Sequence, residues 1–430
     1  IKSKAGRFMR KNRVFINLTS LLNWFDSPVG IIRVQQEILT NSPNIQGVDI
    51  KFIAFSKSKN RFAILGKGFF EAHLFIISLF NKKSLPAFVR KIVKKIYRVA
   101  QLYVLNQFFC KNSIAEVFKS TDVLLSGGFD WSDVDYDEIR NAKKLTGFVF
   151  VCVSYDIIPI TNPEFSHSEE YTANFRRYTE KMQLIADKII CISEYVKNTL
   201  INNLNITGEQ SIIAIPLASF NSKNFIGLNR ARIHGFDIGH PYIIYVSSLD
   251  LRKNHDILIE AYHEAKKQGI SLPRMLFIGK NGNAASNIIH KIRDYSLNDK
   301  IFIVNGADDN EVALALRNSH FAVYPSFVEG WGLGATEAIM NGKVCVISTA
   351  QSLLEATNYL MPALDPHNKM LWMRELDRLS NDPTYKSSIE ENLSKAKMIR
   401  SWSDFTEEAI NFSIVSGIND NGLSLDNVSL

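Results

Sequence analysis

At 430 residues the chain has room for two domains of ordinary size, and a composition that is 46% hydrophobic and 22% charged excludes a disordered or fibrous protein. The formal net charge of +7 is unevenly held: residues 1–120 contain 21 Lys+Arg against 5 Asp+Glu, a local +16 that leaves −9 for the remainder. No run approaches the roughly 20 apolar residues of a membrane span, and the first residues are basic without an apolar core, so no signal peptide is expected. Cys110, Cys152, Cys191 and Cys345 lie far apart with no metal-ligand or redox spacing. Buried, reduced thiols and a cytoplasmic setting are therefore expected.

In chain order, β-branched and aromatic runs predict strands over 13–18, 49–55, 122–128, 147–156, 188–193 and 211–216. Between the second and third of these, "PAFVRKIVKKIYRVAQLYVL" (86–105) has Phe88, Ile92, Ile96, Val99 and Tyr103 at helical spacing, with Arg90, Lys91, Lys94, Lys95 and Arg98 on the other flank. No acidic residue occurs between Ala72 and Ala115. Two readings of this helix stand open: a basic amphipathic helix lying on an anionic membrane surface, or a docked surface helix with a solvated basic face. Nucleic acid is not an expected partner, because no base-reading motif accompanies the charge. The polar stretch 221–241 reads as an interdomain linker. Further strands follow over 242–248, 274–280, 300–306, 320–326 and 343–348, separated by helices such as 254–269 and 309–319. Alternating strands and helices predict parallel α/β sheets, in an N-terminal domain over 1–220 and a C-terminal domain over 238–400. A last helix over 402–417 can pack back on the first domain.

The chemistry concentrates at strand ends of the second half. In "YPSFVEGWGLGATEAIMNGKVCVIS" (324–348) a strand, a Gly-containing loop and a helix over 334–341 follow one another. That order puts a helix N-terminus, which favours an anion, at the strand's C-terminal edge. Glu329 lies in the loop and Glu337 in the first turns of the helix. Two carboxylates there repel an anion but accept hydrogen bonds from hydroxyls, so a ligand with phosphates and many hydroxyls fits: a sugar nucleotide. After the strand at 242–248, Arg252 and Lys253 offer a fork and a mobile point charge for a diphosphate. After 274–280, the turn Gly279-Lys280-Asn281-Gly282 allows close approach to a ligand.

Residues 242–349 resemble the C-terminal domain of retaining family 4 glycosyltransferases of the GT-B fold, which has two Rossmann-like domains facing across a cleft. The matching pieces are "VSSLDLRKNHDILIEAY", "IGKNG", "PSFVEGWGLGATEAIMNG" and "SLLEATNYLMPALDP". The resemblance implies that Glu337 holds the nucleotide ribose, that Glu329 contacts the donor sugar, and that Arg252 and Lys253 bind the diphosphate, assisted by backbone N–H groups near Leu333 and Gly334. Ser248, Gly279 and Gly332 count as nucleotide-sugar-binding positions with them. In the first half, "DSPVGIIRVQQEIL" (26–39) is similar to the family's turn into the first helix. There the resemblance implies that Gly30 approaches the donor phosphate; Arg33 either faces the cleft or is an ordinary surface arginine, and Trp24 and Phe25 either stack on an acceptor sugar or pack under a loop. "ADKIICISEYVKNTL" (186–200) matches a further segment, in which Ser193 is expected to cap a helix.

Two departures stand out. Gly334 replaces a proline common in relatives, from which a looser helix start is expected. Tyr155-Asp156 stands where many relatives carry His-Asp beside the anomeric carbon; both are counted as catalytic candidates, although a tyrosine is a poor general base near neutral pH. Asp133, Asp135 and Asp137 form two Asp-x-Asp pairs of the kind metal-dependent glycosyltransferases use, yet an acidic run also suits a helix start. No metal and no cofactor are expected. The implied activity is transfer of a sugar, GDP-mannose being the leading donor, to a glycan or lipid-linked glycan in surface polysaccharide assembly. A sugar-nucleotide epimerase or hydrolase of the same shape, and a non-catalytic nucleotide-sugar binder, are the alternatives.

Overall fold

The structure, a computed structural model, describes residues 12–26, 28, 30–81, 86–128, 130, 133–204, 210–219, 232–396 and 400–415. Its first sheet is built from β1 (Asn12–Asn17), β2 (Val48–Ser56), β3 (Arg61–Leu65), β4 (Val123–Ser126), β5 (Val149–Ser154), β6 (Lys188–Cys191) and β7 (Ser211–Ala214), in the order β3-β2-β1-β4-β5-β6-β7. All neighbours are parallel except β3, which folds back antiparallel on β2. The central strands read as near-continuous apolar runs because helices cover both faces, as in β4, where every residue is buried.

A small hairpin, β8 (Arg232–Ile233) and β9 (Phe236–Asp237), precedes the second sheet. That sheet holds β10 (Tyr242–Val246), β11 (Arg274–Ile278), β12 (Ile301–Val304), β13 (Phe321–Tyr324), β14 (Cys345–Ser348) and β15 (Ala363–Leu364), all parallel, in the order β12-β11-β10-β13-β14-β15. Each strand anticipated from the sequence is present; β1 keeps its length and β2 is longer, while the others are shorter, most because trailing residues such as Gly127-Gly128 and Ser247-Ser248 leave the ladder. The stretch read as a linker is corrected in part: 232–241 belongs to the second domain, because Ile233, Phe236 and Ile238 are buried in its core. Residues 220–231 lie outside the described residues, as does the end of the chain beyond Val415, which directly follows the helix Trp402–Ile414.

Two apolar cores result, one per sheet. The last helix crosses back to the first: Trp402, Phe405, Ala409 and Ile410 are buried in that core. Lys188 Nζ donates to the carbonyls of Phe412 (2.7 Å) and Val415 (2.5 Å), a cation placed at the negative end of that helix. Trp331 and Ala356 of the second domain also join the first core.

Strand order reverses between β1 and β4 in the first sheet and between β10 and β13 in the second. Connections leaving two such neighbouring strands run to opposite sides and open a crevice beyond the carboxyl ends.

Candidate active site between the two lobes

The crevice of the second lobe is built from the ends of β10 and β13. Past β10 the chain makes a short 3-10 turn, Leu251–Lys253, closed by Asn254 in the left-handed region (φ 53°). Asn254 Nδ2 ties the turn to the carbonyls of Pro325 (3.1 Å) and Pro366 (2.8 Å), and Tyr245 Oη donates to the Lys253 carbonyl (2.7 Å). So held, Arg252 and Lys253 face the loop that follows β13. Arg252 Nη1 reaches Glu329 Oε2 at 2.5 Å and the Val328 carbonyl at 2.8 Å, while Lys253 Nζ reaches Glu329 Oε1 at 2.5 Å. One carboxylate thus bridges both cations. Burial opposes the charge on Glu329, but Arg252 and Lys253 outweigh it and pull the carboxyl down to about 2. Burial and the adjacent Arg252 charge lower the Lys253 ammonium from its ordinary range.

Glu337 projects from the helix Leu333–Met340 and is 9% exposed. Its Oε1 accepts a 2.7 Å bond from Nη1 of Arg33, one turn into the helix Ile31–Thr40, so the pair joins the two lobes. Burial raises the Glu337 carboxyl against the lowering influence of Arg33. Gly30 (φ 51°) stands at the head of the Arg33 helix, near the reversal point of the first sheet.

The helix carrying Glu337 starts at Leu333, with Gly332 ahead of it at φ 113°. The helix thus begins one residue before the 334 read from the sequence. A Cβ on Gly334 would lie 2.4 Å from Tyr324 Oη, so the tyrosine ring fills the space that a side chain needs. Ser248 Oγ donates to the Asp250 carboxylate, whose Oδ1 in turn accepts from Asn283 N (3.1 Å). Gly279, against the Ser247 backbone, starts the turn that carries Lys280 to 5.8 Å from the Trp24 ring of the first lobe.

From the first lobe, Asp156 faces Arg252 and Glu329 closely enough for their charges to act on it. Burial raises its carboxyl while Arg252 pulls the other way. Tyr155 is different. Its hydroxyl donates to the Gly127 carbonyl at 2.7 Å inside the first lobe, which joins the ends of β4 and β5 and leaves its ring in the core. Phe25 likewise packs under its loop, edge-on to His73 (5.6 Å) and Tyr97 (6.2 Å). Beside Asp156 a cavity of about 190 Å³ opens between Ile31, Ser154, Tyr171, Phe175 and Met182. Asp135 caps the helix Tyr136–Thr146 through the N–H groups of Asp137 and Glu138, and Asp137 pairs with Lys181 at 2.6 Å. These roles account for two of the three acids in the Asp-x-Asp run.

Sequence reasoning missed the seam that holds the lobes in register. Ser193 Oγ caps the helix Glu194–Asn203 by accepting from Val196 N (3.0 Å), and it also donates to the Gly330 carbonyl across the cleft (2.9 Å). Glu355 of the second lobe accepts the first N–H groups of that helix, from Glu194 and Tyr195, at 2.8 Å each. Gly330 lies so close that a Cβ would stand 2.3 Å from the Tyr155 carbonyl. The residue next to Glu329 is therefore pressed on the one next to Asp156. Also missed was the network around buried Asp130, which accepts from Asn17 Nδ2 (2.6 Å) and Tyr136 Oη (2.5 Å). An acid four residues past a strand carries no periodic signal.

Residues 229–396 match the family model described as glycosyl transferases group 1. Among curated proteins, the chain is 25% identical over 270 residues to the serotype-specific mannosyltransferase WbdA of Escherichia coli, a match covering 60% of this chain and 32% of that one. It is 22% identical over 267 residues to the O-antigen chain mannosyltransferase B of Escherichia coli, covering 61% of this chain and 69% of the other. The chain thus spans about a third of WbdA and about two thirds of the second relative. Among solved structures, sucrose-phosphate synthase from Thermosynechococcus elongatus superposes with a TM-score of 0.63 at 15% identity, over 94% of this chain and 98% of that one. Anabaena Alr3699/HepE in complex with UDP-glucose does so at 0.60 and 13%, over 93% and 98%. These likenesses establish the fold, while the family model covers the lobe that carries Arg252, Lys253, Glu329 and Glu337. The second lobe thus carries a match to the glycosyl transferases group 1 family, within a chain of the GT-B fold.

Proposed function

We propose that the protein transfers a sugar, mannose from GDP-mannose in the leading form, from a nucleoside diphosphate donor to a hydroxyl of a glycan acceptor, with retention at the anomeric carbon. The observation that carries this reading is the Arg252–Glu329–Lys253 cluster at the strand-order reversal of the second sheet, with Asp156 of the first lobe opposite. Two cations held side by side by one carboxylate are preorganised to receive the charge that builds on a departing diphosphate. The amides that open the helix Leu333–Met340 add to them, so the charge is met without a metal. Glu329, bridging both cations, is placed to accept from the donor sugar's hydroxyls as the diphosphate takes its share of them. Glu337 would accept from the ribose hydroxyls, which requires Arg33 to yield one of its hydrogen bonds. The acceptor hydroxyl approaches from the first lobe, beside Asp156 and its cavity, and passes its proton to the leaving phosphate oxygen.

The mannose assignment rests on the O-antigen mannosyltransferases to which the chain is similar. The O-antigen in those relatives' names supports a place in surface polysaccharide assembly, and the basic first half of the chain supports a lipid-linked acceptor, with the protein peripheral to the inner face of a membrane. A thermal-shift screen of GDP, UDP and dTDP comes first: a ligand at 100 times its dissociation constant stabilises by about 2.7 kcal/mol. Transfer assays with Lys253→Ala then test the cluster. Loss of one such donor costs on the order of 3 kcal/mol, about a hundredfold in rate, and near-normal transfer by the variant would show that the assignment is wrong.

A further inference from the structure

The basic helix is Ala87–Val104, and its burial separates the two readings left open by the sequence. One face turns inward. Gln101 Nε2 lies 3.0 Å from His73 Nδ1, and Tyr97 stacks on the His73 ring (5.8 Å between centroids) and meets Phe80 edge-on at 5.7 Å. The opposite face carries Phe88, Ile92, Ile96, Val99 and Tyr103, each between 52% and 67% exposed. The large apolar stripe is therefore not the surface that docks the helix on its own domain. Phe75 of the preceding helix Lys67–Phe80 and Phe108 just beyond are exposed to the same degree, at 64% and 62%. A concentration of large apolar side chains in water marks a surface that is covered by something else.

Charge identifies the cover. Lys91 and Lys95 are exposed along one edge of the stripe, and the sequence from 73 to 115 contains no acid to offset them. A second copy of the chain would set these cations against one another. An anionic bilayer would leave them at headgroup level while the stripe enters the acyl boundary. No described helix is long and apolar enough to cross a membrane, so the element would lie on the surface. The inward side of the same helix grips the loop that leads to Gly30: Lys94 Nζ bonds Asp26 Oδ1 at 2.8 Å, and the Arg98 guanidinium sits over the Phe25 ring at 5.7 Å. Trp24, next in that loop, faces Lys280 of the other lobe.

We propose that the exposed face of Ala87–Val104, extended by Phe75 and Phe108, docks the protein on an anionic lipid bilayer, and that the mouth of the cleft thereby opens at the lipid surface. This rests on the functional reading only for the lipid-linked nature of the acceptor. The test is co-sedimentation of the full chain with vesicles containing phosphatidylglycerol and with vesicles of phosphatidylcholine alone, at low and high salt. Binding to the anionic vesicles that weakens with salt, and little binding to the neutral ones, is the expected result. Lys91→Gln/Lys95→Gln should weaken it about thirtyfold, since each surface cation contributes about 1 kcal/mol. Phe88→Ser/Ile92→Ser/Ile96→Ser should abolish it at every salt concentration. All these side chains are exposed, so the urea unfolding curves and the thermal shift with nucleoside diphosphate should match those of the parent. Failure of the parent to bind anionic vesicles at low salt, or equal binding by both variants, overturns the proposal. So does a dimer that the triple serine variant turns into a monomer while no lipid is bound. A chain that binds vesicles but no nucleoside diphosphate upholds the docking surface and refutes the sugar-transfer reading instead.

Discussion

Glu329→Gln isolates what the bridging carboxylate does before any donor arrives. Glutamine keeps the shape and one acceptor but removes the charge opposite Arg252 and Lys253, whose side chains are 25% and 17% exposed. The Glu329 carboxyl falls from an ordinary 4.5 to about 2, and each pKa unit corresponds to 1.36 kcal/mol, so its pairing is worth about 3 kcal/mol at pH 7. That agrees with the roughly 3–5 kcal/mol lost when one partner of a buried pair is removed. The folded-state value is depressed, so this stability is present above about 4.5 and is lost as pH falls toward 2. The gap between parent and variant should thus shrink to about 1 kcal/mol at pH 3. Urea unfolding of the second lobe, followed at both pH values, measures it. A nucleoside diphosphate offers the orphaned cations a new counter-charge, so it should bind the variant at least as tightly as the parent while sugar transfer falls about a hundredfold. A variant within about 1 kcal/mol of the parent at pH 7, or a gap that does not change with pH, would refute the reasoning.

Arg33→Ala leaves Glu337 buried without its partner across the lobes. Because burial raises the Glu337 carboxyl, ionising it costs folding energy as pH rises above the ordinary glutamate range. The variant should therefore lose more stability at pH 7 than at pH 4, and thermal unfolding at the two values reads the difference. Gly334→Ala sets a methyl against the Tyr324 ring and should cost about 1–3 kcal/mol. Tyr324→Leu should recover part of that cost, and a double-mutant cycle that comes out additive would show that the two positions do not compete for one space.

How far the fold could be read depended on how local its signals were. Strands such as Ile243-Ile244 and Val344-Cys345-Val346-Ile347 are apolar on both faces and announce a covered parallel sheet. β3 went unread because it is an edge strand folded back by a turn, and β8 and β9 because two residues each make no periodic pattern. At the site, residue types and their order pointed to Arg252, Lys253, Glu329 and Glu337, since their positions follow from strand ends. Their partnerships did not follow. Arg33 and Glu337 are 304 positions apart, and nothing local to either names the other. Side-chain direction was equally illegible: Tyr155 and Asp156 are consecutive, yet one hydroxyl is bonded inside its lobe and the other side chain interacts with the charges of the opposite one.

The seam formed by Ser193, Gly330 and Glu355 has a consequence for anyone wishing to exchange one lobe by recombination. A cut between the lobes would strip the start of the Glu194–Asn203 helix of its carboxylate cap, leave the Gly330 carbonyl without the Ser193 hydroxyl, and pull Trp331 out of the neighbouring core. The tail helix, anchored by Lys188, would go with the wrong half. Workable chimeras of this protein must import those contacts as a set: the second lobe travels with a matched landing surface, not as a free-standing cassette.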